Sequence, residues 1–152
     1  MQIFLQKMQQ RLNSIKEQNG YPLTIKKVTI SPVLNATYDT SQLPLIEIVQ
    51  VDEQYEHNHA QIHVETQVAL RLVAHKNASD EYMEIFKSAV IRALFCGSYD
   101  YHTRQTQTAA DYGDGFVQLR LLETQSDLGF IQANRVYIIV LQAIFNVAIW
   151  EI

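Results

Sequence analysis

The clearest pattern in this chain is an alternation of apolar and polar positions in the segment AQIHVETQVALRLVAH, residues 60–75. From Ile62 to Ala74 the even positions carry apolar side chains or threonine, whereas most odd positions are polar or charged. Because the side chains of a strand point alternately to its two faces, this period indicates one buried and one wet face. The segment is therefore predicted to be a long, half-buried β-strand.

Two earlier segments are also predicted to be strands. The segment LTIKKVTISPVL favours a short strand near residues 25–30, and Pro32 places its end near a sheet edge. Leu45 to Val51 carry apolar residues on both faces, which indicates a strand that is central or covered on both sides. The polar, acidic stretch 52–58 that follows is predicted to be a loop or a hairpin tip.

Two more strands are predicted in the last third of the chain. Residues 116–123 alternate, and a final strand begins near Asn134 and runs to the end, with a bulge expected near Gln142. Its apolar run VYIIVLQAIFNVAIW is shorter than the ~20 residues that a membrane-spanning helix needs. We therefore interpret this run as a buried strand. The N-terminal segment lacks the pattern of a signal peptide.

Two segments have the period of an amphipathic helix, residues 1–18 and the residues that follow Ser79. Gly20 is expected to end the first helix in a left-handed conformation, and Ser79 is expected to cap the second. Gly97 is the expected C-terminal stop of the second helix. The predicted buried positions are Phe4, Leu5, Met8, Leu12 and Ile15 in the first helix and Tyr82, Ile85, Phe86, Ala89, Ala93 and Leu94 in the second.

The predicted order of elements is α-β-β-β-α-β-β, with hairpin-like connections. This order favours the α+β class, with a mostly antiparallel β-sheet and two α-helices packed on one face. The regular alternation of strand and helix that a doubly wound fold needs is absent. The length of 152 residues fits a single domain that spans residues 1–152.

Charge is distributed unevenly along the chain. The formal net charge of −4 argues against a nucleic-acid-binding protein. Residues 1–27 are mainly basic, whereas residues 47–66 contain acidic residues and no Lys or Arg. This separation is either ordinary surface scatter or a pair of complementary faces that meet between copies of the chain. Under the second interpretation the candidate interface residues are Lys7, Arg11, Glu53 and Glu56.

The segment 98–115, SYDYHTRQTQTAADYGDG, has no period and exceeds the ~4–6 residues of a typical connection. Its tyrosine and arginine residues either anchor the loop or contact a partner, because these residue types contribute strongly to interfaces. The candidate contact residues are Tyr99, Tyr101, Arg104 and Tyr112. Asp111 to Gly115 lacks the spacing of a calcium-binding loop and is interpreted as a turn.

No arrangement of residues is typical of an active site. Nucleophile-elbow, phosphate-loop, dinucleotide-binding and zinc-protease motifs are absent. His57, His59 and His63 would bind one metal together only across a sharp bend, and Cys96 has no activating His or Asn placed nearby. We therefore expect no catalytic residue, no metal and no cofactor, and a protein that is not an enzyme.

A small enzyme or ligand-binding domain stays open as an alternative. Such a protein would have a pocket between the sheet and the helices. Its polar lining would come from the wet face of the long strand, with His63, Glu65 and His75 as candidates.

The order of segments resembles the tail terminator, or tail completion, proteins of long-tailed bacteriophages and related prophages. An N-terminal helix precedes the strands LPLIEIVQV and QIHVETQVALRLVAH, which the acidic segment DEQYEHNHA separates. The helix DEYMEIFKSAVIRALF, the strand GFVQLRLLET and a last strand ending in NVAIWEI follow. The resemblance covers nearly the whole chain and includes no signature motif.

The resemblance implies a structural protein of the virion neck. Such proteins form a ring, usually a hexamer, that caps the tail tube, ends its polymerisation and offers a joining surface to the head connector. The implied partners are other copies of the chain, the tail tube protein and the connector. DNA passes through the lumen without specific binding, and no membrane is involved. Assembly takes place in the host cytoplasm. Another head–tail joining protein is the alternative within this class.

Overall fold

The computed structural model describes residues 2–30, 40–58, 61–95, 99–100, 105–106, 116–125, 130–131 and 134–148. The helices are α1 (Gln2–Asn13) and α2 (Asp80–Phe95), with 3-10 turns at Glu17–Asn19 and Thr40–Gln42. The strands are β1 (Lys27–Ile30), β2 (Leu45–Asn58), β3 (Gln61–Ala74), β4 (Tyr99–Asp100), β5 (Gln105–Thr106), β6 (Phe116–Gln125), β7 (Phe130–Ile131) and β8 (Asn134–Ala148). No helix in this part of the chain is long and apolar enough to cross a membrane.

The main sheet has the spatial strand order β1-β2-β3-β8-β6, and β7 adds to it by pairing with β8. β1 runs parallel to β2, whereas the other pairings in this sheet are antiparallel. The short strands β4 and β5 pair with each other in a separate sheet. This architecture confirms the predicted α+β class and its mostly antiparallel sheet.

Both helices pack on one face of the main sheet, as predicted. Their apolar side chains and the facing strand residues form one buried cluster. The ring of Phe4 in α1 lies edge-on to the ring of Phe145 in β8, with 4.7 Å between centroids. Phe86 of α2 is fully buried in the same cluster. Burial of one such side chain stabilises the fold by roughly 1.5–3 kcal/mol.

The first helix ends earlier than predicted, at Asn13. A 3-10 turn follows, and Gly20 adopts the predicted left-handed conformation with φ of 89°. The backbone N–H of Ile25 donates to the carbonyl of Ile15 over 2.9 Å. The helix therefore stops because the chain turns back to place β1 at the edge of the sheet.

The second helix begins as its sequence predicts. The backbone N–H of Tyr82 donates to Ser79 Oγ over 3.0 Å, so Ser79 is the N-cap. Of the predicted stripe, Tyr82 and Ile85 are half-buried and the other four positions are buried. Met83 and Val90 are buried as well. Gly97, the predicted stop, lies outside the described residues.

β2 is longer than predicted, because the acidic stretch 52–58 is strand and neither loop nor hairpin tip. It pairs with β3 from Asp52↔Gln67 to Asn58↔Gln61, after a bulge between Gln50 and Asp52. The interpretation as a loop was wrong because this stretch is polar on both faces and shows no alternation. β2 ends at Asn58 and β3 begins at Gln61.

The bulge predicted near Gln142 is also not found. β8 pairs with β3 in unbroken register from Arg135 to Ala148. The irregularities lie in its other neighbour, β6, between Phe116 and Gln118 and between Leu121 and Glu123. β8 is regular because β3 holds one side of it along its whole length.

The face of the sheet opposite the helices is buried near the start of β2. A small apolar cluster there consists of Leu43, Leu45, Val73 and Val136. On the same face Glu47 and Arg71 are buried, and Arg71 Nη1 donates to Glu47 Oε2 over 2.8 Å. β2 is thus buried on both faces here, which confirms the prediction for its first residues.

Candidate assembly surface

β2 consists of two parts with different surroundings. β1 pairs with residues 45–48 of β2 and then ends. We call residues 45–49, which are buried, the covered half, and residues 50–58 the open half. In the described part of the chain the open half has β3 on one side and no strand on the other. With respect to the described residues, its outer edge therefore presents unpaired backbone groups, which are a template for another strand.

The open half is acidic. It contains Asp52, Glu53 and Glu56 and no Lys or Arg. The backbone N–H of Glu53 donates to Asp52 Oδ1 over 2.8 Å, and Thr66 Oγ1 donates to the Asp52 carbonyl over 2.9 Å. A hydrogen bond to the Glu53 side chain, with smaller effects of desolvation and of the Glu53 charge, raises the pKa of Tyr55. The acidic residues lie beyond the bulge, on the part of β2 that pairs with β3 from Asp52 to Asn58.

The opposite edge of the main sheet is β6. Its neighbour on one side is β8, and no strand of the described chain lies on its other side. Residues 120–124 of β6 are exposed, and they include the basic residue Arg120. Both open edges thus belong to long strands, one at each side of the sheet.

Exposed large apolar side chains occur at these edges. Among the described residues they are Val51 (59% exposed), Tyr55 (55%), Leu121 (42%), Leu122 (41%) and Ile30 (40%). Val51 and Tyr55 lie in the open half of β2, and Leu121 and Leu122 lie in β6. Apolar exposure that is concentrated at strand edges is typical of contact surfaces rather than of random scatter.

The outer edge of β1 is less available. Gln9 Nε2 of α1 donates to the carbonyl oxygen of Val28 over 2.8 Å. This carbonyl would otherwise be free to accept a bond from another strand. A side chain of α1 therefore occupies part of the β1 edge.

The predicted interface residues have different environments. Lys7 is half-buried on α1, and Glu53 and Glu56 lie in the open half of β2. Arg11 donates from Nε (3.0 Å) and Nη2 (2.9 Å) to the carbonyl of Ala93 near the end of α2. Arg11 thus caps a helix within its own chain.

Of the four predicted contact residues in the long segment 98–115, the structure describes only Tyr99. Tyr99 takes part in the pairing of β4 with β5, a short hairpin where the sequence predicts no regular structure. Tyr101, Arg104 and Tyr112 lie outside the described residues. Their role stays a prediction.

Of the three candidates for the ligand-binding alternative, the structure brings together His63 and Glu65 but not His75. His63 Nδ1 lies 3.0 Å from Asn146 Oδ1, and His63 Nε2 lies 3.6 Å from Glu65 Oε1. His75 lines a separate cleft of about 560 Å³ together with Tyr82. His63 and His75 are twelve residues apart on one extended segment, which corresponds to roughly 40 Å. They cannot line one small pocket.

No metal centre is present among the described side chains, since no three His, Cys, Asp or Glu residues come together there. His57 and His63 belong to adjacent strands, with His57 opposite Ile62 and Glu56 opposite His63. His59 and Cys96 lie outside the described residues.

The sequence pointed to the acidic half of one edge and missed the other edge. For Arg120, Leu121 and Leu122 the sequence predicts only that they belong to a strand. The signal that was available is the pair of adjacent leucines, which breaks the alternation of Val117, Leu119 and Leu121. Such a break in period indicates a bulge, and bulges occur often at sheet edges.

Comparison with known proteins gives a likeness of fold. No protein-family model matches this sequence, and no curated protein matches it. Among solved structures, a chain described as "Virion of native gene transfer agent (GTA) particle" matches with a TM-score of 0.55 and 14% sequence identity. The match covers 91% of this chain and 91% of that chain. The chain described here therefore shares its fold, over nearly its whole length, with a chain of that virion.

Proposed function

We propose that this chain is a structural protein of a phage-like virion and that it acts as a tail terminator. It forms a ring, with a hexamer as the expected form, that caps the tail tube and ends its polymerisation. The observation that carries the proposal is the likeness of fold to a virion chain over 91% of both chains. The order of elements on which the resemblance to tail terminators rests adds further support.

The surface of the sheet supports an assembly role. Two long open edges with exposed apolar side chains are features of a protein that pairs with others. In the proposed assembly the partners are further copies of the chain, the tail tube protein and the head–tail connector. DNA passes through the lumen without specific binding, and the negative net charge of −4 suits this passage.

The proposed working unit is one domain over residues 1–152, located in the virion neck after assembly in the host cytoplasm. It has no catalytic residue and no cofactor. The acidic open half supplies one interface, through Glu53 and Glu56. The basic surface of the N-terminal region, which includes Lys7, supplies a second, separate contact. Tyr99, Tyr101, Arg104 and Tyr112 are further proposed contacts.

The decisive experiment measures native mass and then images the protein with purified tail tubes by electron microscopy. We expect rings at tube ends and tubes that no longer grow. Rings that bind head connectors and ignore tubes would instead identify another head–tail joining protein. Protein that binds neither tubes nor connectors would contradict the proposal.

A pair of charge-reversal variants adds a control. Glu53→Lys with Glu56→Lys should weaken ring formation, because both residues lie in the open half. Glu81→Lys with Glu84→Lys changes the net charge equally at exposed positions of α2, outside both proposed contact surfaces. If the first variant assembles normally, or if both variants lose assembly equally, the open half is not part of the interface.

A further inference from the structure

We propose that the open half of β2 in one copy pairs with β6 of the next copy, so that the sheets of neighbouring subunits join edge to edge. This inference rests on the proposed ring and names the surface that closes it. The two edges are similar in length, since the open half has nine residues, 50–58, and β6 has ten. Both are unpaired in the described chain and both expose apolar side chains.

Strand direction allows this pairing. β2 is antiparallel to β3, β3 to β8, and β8 to β6, so β6 runs opposite to β2. Successive copies in a ring have the same orientation along the ring axis. The β2 edge of one copy therefore meets the β6 edge of its neighbour in antiparallel direction, which is the pairing used elsewhere in this sheet.

The register across the sheet brings complementary charges to its two edges. Asp52 lies opposite Gln67, Gln67 opposite Gln142, and Gln142 opposite Arg120. This row begins with an acid at the β2 edge and ends with a base at the β6 edge. Directly opposite residues share a face. This row lies on the face away from the helices, because Val68 and Leu141, next to it on β3 and β8, belong to the helix-covered core. When rows continue between copies, Asp52 lies beside Arg120 of its neighbour.

The adjacent row supplies the apolar part of the contact. Gln50 lies opposite Val68, Val68 opposite Leu141, and Leu141 opposite Leu121. The bulge at Val51 of β2 and the bulge at Leu122 of β6 both lie next to this row. If the rows continue from one copy to the next, exposed Val51 lies near exposed Leu121 and Leu122 of the neighbour. Contact between them would remove apolar surface from water, which favours association.

A second copy fits these edges better than an unrelated strand does. Each copy carries both complementary edges, at opposite sides of one sheet. Such a contact uses two different surfaces and is heterologous, so it extends from copy to copy and closes when the rotation permits. The β1 edge is a poor competitor because Gln9 bonds to Val28.

Cysteine cross-linking tests the pairing directly. In a Cys96→Ser background, Asp52→Cys combined with Arg120→Cys should yield a ladder of covalent oligomers on oxidation. Directly opposite residues of an antiparallel pair have Cα atoms about 4.5–5.5 Å apart, within the range that a disulfide spans. Ile30→Cys combined with Arg120→Cys is the matched control for the β1 edge and should yield no ladder. Rings without the Asp52–Arg120 ladder overturn the pairing and leave the proposed ring intact.

Charge exchange identifies the partner of Asp52. Asp52→Arg should raise the dissociation constant between subunits about tenfold, because it puts like charges side by side. Adding Arg120→Asp should restore it. Rescue by Lys7→Glu instead of Arg120→Asp overturns the pairing and favours an interface with the N-terminal helix. Native mass spectrometry of the same samples measures the number of subunits in the ring independently of cross-linking. A protein that stays monomeric at high concentration and gives no ladder also overturns the pairing.

Discussion

The two halves of β2 differ in almost every respect although they form one strand. Residues 45–49 are buried, and residues 45–48 lie between β1 and β3. Residues 50–57 are exposed or half-buried and pair only with β3 in the described chain. The boundary coincides with the end of β1 and with the bulge at Val51.

This difference shows that one strand can serve two purposes. The covered half contributes to stability through burial. The open half contributes little to the core, and in the proposed assembly its acidic and apolar side chains contact another chain. Substitutions in the covered half should therefore change the free energy of unfolding, whereas those in the open half should change association.

The largest effect is expected at the buried ion pair of the covered half. Arg71→Met leaves the Glu47 carboxylate buried without its partner and should lower the free energy of unfolding by about 3–5 kcal/mol. Glu47 Oε1 already lacks a hydrogen-bond partner among the described residues, which makes a second loss costly. Urea denaturation of the monomer measures the change. The double variant Glu47→Leu with Arg71→Met should recover most of the loss; no recovery would refute the ion-pair explanation.

The next effect compares one apolar residue from each half. Ile48→Ala removes a fully buried side chain and should lower the free energy of unfolding by about 2–5 kcal/mol. Val51→Ala, at the exposed bulge, should change it by no more than about 0.5 kcal/mol. Thermal or urea denaturation of both variants gives the contrast. Equal losses would show that the open half is part of the core.

A smaller effect separates two charged residues that the sequence grouped together. Arg11→Met removes two hydrogen bonds to the Ala93 carbonyl and should cost about 1–2 kcal/mol of stability. Glu56→Gln, in the open half, should leave stability unchanged within about 0.5 kcal/mol. If Arg11→Met weakens association without a loss of stability, Arg11 is an interface residue as first predicted.

The smallest effect concerns the pH response of the open half. The pKa of Tyr55 is raised chiefly by its hydrogen bond to Glu53, so Glu53→Gln should lower that pKa toward the ordinary value. A tyrosine with a raised folded pKa favours folding below its unfolded pKa, and this contribution is lost as pH rises through the folded pKa. NMR titration of the Tyr55 ring, assigned with Tyr55→Phe, measures the shift. An unchanged pKa in Glu53→Gln would show that Glu53 is not the cause.

The sequence predicted the elements whose burial pattern is periodic. β3 alternates because one face meets the helices, and α2 has both an N-cap at Ser79 and an apolar stripe. The fold class followed from the order of these elements. These predictions succeeded because local pattern and tertiary packing demand the same residue types.

The features that the sequence did not predict depend on contacts between segments that are distant in the sequence. Residues 52–58 were interpreted as a loop because polar residues on both faces carry no period, yet pairing with β3 keeps them extended. The parallel partner of β2 and the open edge of β6 are set by topology. The hydrogen bond of Arg11 to Ala93, 82 residues away in sequence, also has no local signal.

The acidic run of the open half has a consequence for which pairs of edges can meet. Two β2 edges that paired antiparallel about a two-fold axis near Gln54 would place Asp52 of one copy opposite Glu56 of the other, and like charges directly opposite one another destabilise a strand pair. Such self-recognition would produce a closed, two-fold dimer that blocks further growth. The carboxylates therefore disfavour this two-fold dimer. Salt screens their repulsion, with a screening length of about 10 Å at 0.1 M, and should therefore increase the population of the dimer.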